Sequence, residues 1–111
     1  MSFDESAVAA WLRGHAGDAP PALMDAMLAA LPSGDSDSVA DALAEGALGI
    51  YRGLLHTAGG REDALPLLAA DALLTHAVQA QAETDPDGME AFDRRWGAGG
   101  ALALLTPDSA A

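Results

Sequence analysis

The run from Ala64 to Glu83, ALPLLAADALLTHAVQAQAE, reads as one helix that is apolar almost all the way round. In a chain of 111 residues such a helix is hard to cover with the remaining helices alone, so it should lie centrally or at a twofold interface. At about 100° per residue, Leu67, Leu74 and Val78 share a narrow arc, Leu68 flanks it, and Asp71 projects from its middle. A carboxylate on an apolar face must be paired, hydrogen-bonded or neutralised. Candidate partners are an arginine such as Arg52 or Arg94, the Thr75 hydroxyl one turn along, or solvent in a groove between helices.

The rest of the chain also favours helices. Val8, Val39, Ile50 and Val78 are the only aliphatic β-branched residues and aromatics make up 5%, so little here suits a strand. Ser2 and Glu5 have capping-box spacing and open a first helix near 3–14, which Gly14 and Gly17 close. Pro20 and Pro21 suit the first turn of a second helix carrying Leu23, Met24, Met27, Leu28 and Leu31 up to Pro32. Asp37 or Ser38 caps a third, with Val39, Leu43, Ala47, Ile50 and Leu54 in one stripe widened by Leu48, Tyr51 and Leu55, and with Gly59 and Gly60 as its end.

Asp63 precedes the fourth helix, which places Pro66 in its first turn. The DPDG turn at 85–88 follows, and Asp87 with Glu90 opens a short fifth helix presenting Met89, Phe92 and Trp96 before Gly97, Gly99 and Gly100. ALALL at 101–105 reads as a last docked turn. The expected architecture is all-α, a compact bundle of four main helices plus a short fifth, with residues 1–105 as one domain and 106–111 as a flexible tail.

Seventeen acidic residues against five arginines and no lysine give a formal charge of −12, which opposes binding to nucleic acid or to anionic lipid. The same excess fits a high-salt cytosol, an Ala- and Arg-biased genome, or a basic protein partner. No apolar run reaches the roughly 18 residues of a membrane span, and the acidic start is unlike a signal peptide, so the expected location is the cytoplasm. The absence of cysteine excludes disulfides and thiolate chemistry. His15, His56 and His76 fall on three different helices without a carboxylate at helical ligand spacing, and no serine sits in a nucleophile elbow. No cofactor or metal is expected, and no catalytic residue.

Leu67–Val78, LLAADALLTHAV, resembles the helix of isoprenyl diphosphate synthases that carries a Leu-Ala-Gly-Asp-Ala-Leu signature, with Ala70 standing where that family has glycine. The Gly-rich WGAGG at 96–100 is similar in kind. That family holds its diphosphate through Asp-rich magnesium motifs, whereas this chain has no two adjacent aspartates and lacks the accompanying basic residues. The resemblance therefore implies a reduced, non-catalytic or accessory relative of the helical fold; only the position of Asp71 carries over, and it is not one of the family's metal-binding aspartates.

The expected function is a non-enzymatic interaction or accessory module, homodimeric or bound to another protein. Leu68, Leu73 and Val78 on the fourth helix, and Gly49 and Gly53 on the glycine strip of the third, form its expected interface. The alternative is a small-molecule binder of apolar or isoprenoid type. Leu67, Leu74 and Met27 would line its pocket, Asp71 would anchor the ligand, and Thr75 and His76 would stand nearby.

Overall fold

The computed structural model describes residues 2–97 and 100–101. Five helices follow one another: α1 (Glu5–His15), α2 (Pro21–Ala29), α3 (Val39–Leu54), α4 (Ala64–Thr84) and α5 (Met89–Trp96), with 3₁₀ turns at Arg61–Asp63 and Pro86–Gly88. This is the expected all-α bundle of four main helices and a short fifth. No helix among the described residues is long and apolar enough to cross a membrane. Gly99, residues 102–105 of the ALALL segment and the 106–111 tail lie outside the described residues.

The antiparallel hairpin of α3 and α4 is the most extensive helix contact; α2 leans on α4, α1 on α3, and α5 on the C-terminal part of α4. Its seam is built from small residues. Ala40, Ala44 and Ala47 on α3 are buried, as are Ala69, Ala70, Ala77 and Ala80 on α4. Short side chains let the two backbones approach, and Leu12, Met27, Leu43, Leu73 and Phe92 fill the space around them. Gly46 on α3 makes room for the chain at the end of α2. A Cβ there would lie 3.0 Å from the Ala30 carbonyl oxygen, so close approach of a backbone explains Gly46, while no atom among the described residues would lie within 4 Å of a Cβ at Gly49 or Gly53.

Two capping expectations, at α1 and α5, need correction. The first helix starts at Glu5 under Asp4, whose carboxylate accepts from the Ala7 N–H at 2.9 Å, and not under Ser2. Phe3 is the reason: it exchanges two backbone hydrogen bonds of 2.8 Å with Ser36, which holds the preceding chain extended. Asp63 stands at the head of α4 but turns back to accept from the Thr57 hydroxyl at 2.6 Å and the Gly59 N–H at 3.0 Å. That clasp closes a turn in which Gly59 has φ +79°, a conformation glycine adopts without strain. At α5 the cap position is Gly88, and Asp87 lies inside the 3₁₀ turn with no capping bond. Ser38 caps α3 as expected, accepting from the Asp41 N–H at 3.0 Å.

Candidate functional site

α4 buries Ala69, Ala70, Leu73, Ala77, Ala80 and Gln81, so the arc of Leu67, Asp71, Leu74 and Val78 points the other way. Leu68 is 54% exposed, Leu67 47% and Val78 45%, and Leu55 just past the end of α3 is 54% exposed. Leu67, Leu68 and Val78 thus stand outside, while four alanines, Leu73 and Gln81 face inward. This corrects one expectation. Leu73 is fully buried in the chain's own core and is unavailable to an interface, because the alanine seam draws that side of α4 against α3. Gly49 and Gly53 are exposed on the side of α3 that carries Glu45 and Arg52, away from the arc of Leu68 and Val78.

Asp71 is exposed, and its partner is neither Arg52 nor Arg94: Tyr51 of α3 donates its hydroxyl to the Asp71 carboxylate. Arg94 is engaged by Glu90 at 3.0 Å. Thr75 Oγ1 donates to the Asp71 main-chain carbonyl at 2.9 Å and so leaves the carboxylate alone. Tyr51 is pushed up from its ordinary 10.0 to about 12, by burial first, then by the bond to Asp71 and by the carboxylate's charge. It is therefore a neutral donor across the physiological range. The polar groups in the middle of the apolar arc are bonded to one another.

Tyr51 is the only tyrosine in the chain, so ultraviolet titration of the phenol reads this bond directly. We expect a midpoint near 12 in the native protein. In Asp71→Asn the midpoint should fall part of the way back toward the ordinary value, since burial remains while the carboxylate's two contributions are lost. The folded value lies above the unfolded one, so the Tyr51 contribution to stability is whole below pH 10.0 and is lost as pH rises through about 12. An Asp71→Asn midpoint equal to that of the native protein would contradict the bond.

The residues of the small-molecule alternative do not converge. Leu74 lines an open groove of about 800 Å³ between α4 and α5, together with Val78, Met89, Phe92 and Trp96. Met27 and His76 line a separate cavity of about 300 Å³ with His15 and Leu23. Leu67, Asp71 and Thr75 line neither. His76 belongs to a polar seam between α1 and α4, donating from Nδ1 to Gln79 Oε1 at 3.0 Å and meeting the Trp11 ring edge-on at 6.2 Å. His15 stacks on the other side of that seam, 3.8 Å from the Trp11 ring centre, with Nε2 3.3 Å from Glu83.

Sequence reasoning missed the tie between α3 and α5, where Asp41 accepts from Arg95 Nη1 at 2.5 Å and from Trp96 Nε1 at 2.7 Å. These partners lie more than fifty positions apart, beyond any helical spacing rule. The Tyr51–Asp71 pair carried a usable signal. The two residues stand symmetrically about Arg61 in the connection between the helices, as an antiparallel hairpin requires of facing positions. No protein-family model, curated protein or solved structure matches the chain.

Proposed function

We propose that this protein is a non-enzymatic interaction module that self-associates through the outer face of α4. The observation that carries the reading is the exposure of Leu67, Leu68 and Val78 around a bonded Tyr51–Asp71 pair. Exposed apolar side chains gathered on one face, unlike scattered single ones, mark association surfaces. Tyr51 donates to Asp71 as a neutral phenol and Thr75 has its acceptor, so the charge of Asp71 is the chief cost of covering this centre and the apolar side chains around it must outweigh that cost. In an isologous contact, antiparallel α4 helices would set Leu67 of one copy against Val78 of the other.

Leu68→Glu tests this reading, because Leu68 flanks the arc and contributes little to the chain's own core. The variant should keep its helical circular dichroism while its sedimentation shifts from dimer to monomer. A variant that remains as associated as the native protein would refute α4 as the contact.

A further inference from the structure

The groove between α4 and α5 has a composition distinct from the Leu67–Leu68 end of the helix. Leu74, Val78, Met89, Phe92 and Trp96 give it an apolar floor. Asp87, Glu90 and Asp93 stand along its rim, and none of the five arginines lines it. Glu90 is shared with Arg94, whereas Asp87 and Asp93 form no ion pair among the described residues. Two carboxylates beside an apolar floor that the described residues leave open favour a partner that brings cations together with apolar anchors.

We propose that this groove receives a short basic amphipathic helix from a partner protein. The shape favours a helix over a small ligand. The groove lies open along one side between two helical ridges, so a compact molecule would leave much of its own surface wet, whereas a helix would present its polar face outward. Its floor follows α5, which has eight residues and a length of about 12 Å at 1.5 Å per residue. Three anchors at i, i+4 and i+7 span about the same distance, and lysines or arginines beside them would reach Asp87 and Asp93. The inference rests on the reading of the chain as an interaction module; the groove shares Val78 with the proposed dimer face but not Leu67 or Leu68, so Leu68→Glu separates the two surfaces.

The test is calorimetric titration of the full chain with a synthetic helix of about fourteen residues, carrying leucines at those spacings and lysines beside them. Two control peptides replace lysine by glutamate or scramble the leucine spacing. The expected result is saturable binding of the first peptide alone. In the doubly charge-reversed Asp87→Lys/Asp93→Lys variant, whose sites are exposed, affinity should fall on the order of tenfold or more. Leu68→Glu should bind the peptide as the native chain does, whether or not it dimerises. Failure of the native chain to bind would overturn the proposal, as would equal binding of the glutamate or scrambled peptide, or full affinity in the charge-reversed variant. Loss of binding in the monomeric Leu68→Glu variant would overturn it as well, since the site would then need a second copy.

Discussion

Leu73→Ala should lower the unfolding free energy by about 3–4 kcal/mol, the largest loss expected from any single truncation on α4. The side chain is fully buried between α3 and α4. It packs over Gly46, where an added Cβ would lie 3.5 Å from Leu73 Cδ1, so the hole left by truncation could not close without moving the hairpin. Leu68→Ala provides the contrast, because a side chain 54% exposed should cost under about 1 kcal/mol in the monomer. Urea unfolding at a protein concentration where the chain is monomeric separates the two. A reversed order would mean that α4 is rotated about its axis and that Leu67 and Leu68 belong to the core.

Asp41→Ala should cost about 2 kcal/mol and free the end of α5, because charge-assisted bonds to Arg95 and Trp96 are lost together. The Asp41 side chain is 17% exposed and the Trp96 indole half-buried, so the orphaned N–H would have to find water. In a Trp11→Phe background, emission reports Trp96 alone and should move to the red in Asp41→Ala. Asp41→Asn keeps an acceptor for the indole but not the ion pair, and should lose less. Native-like stability and emission in Asp41→Ala would show that Phe92 and Met89 hold α5 without this tie.

Helix positions were legible because proline, glycine and capping residues punctuate the chain at nearly every junction. α4 runs from Ala64 to Thr84, within a residue of the expected span. Its orientation was not legible, for a reason that concerns size. Periodicity weights leucine above alanine, but the α3–α4 seam is governed by how closely two backbones can approach, and there Ala69, Ala70, Ala77 and Ala80 take the inner face. The leucines at 67 and 68 are left outside, and the carboxylate that looked anomalous among them is exposed and bonded to Tyr51.

The same competition between local and tertiary bonds explains the shifted start of α1. Ser2 and Asp4 both offered acceptors to the first turn, and the backbone pairing of Phe3 with Ser36 decided for Asp4. The Asp41 tie depends on where α5 returns, which no local pattern encodes.

Molar mass by light scattering across a range of protein concentrations, at low salt and at molar salt, tests the central claim most directly. Each copy carries a formal charge of −12, so repulsion should weaken association at low salt, and screening with apolar contact should favour it at molar salt. Twice the 11.2 kDa chain mass is expected at molar salt, with concentration-dependent dissociation appearing first at low salt. A folded monomer at every concentration and in both salts would contradict it.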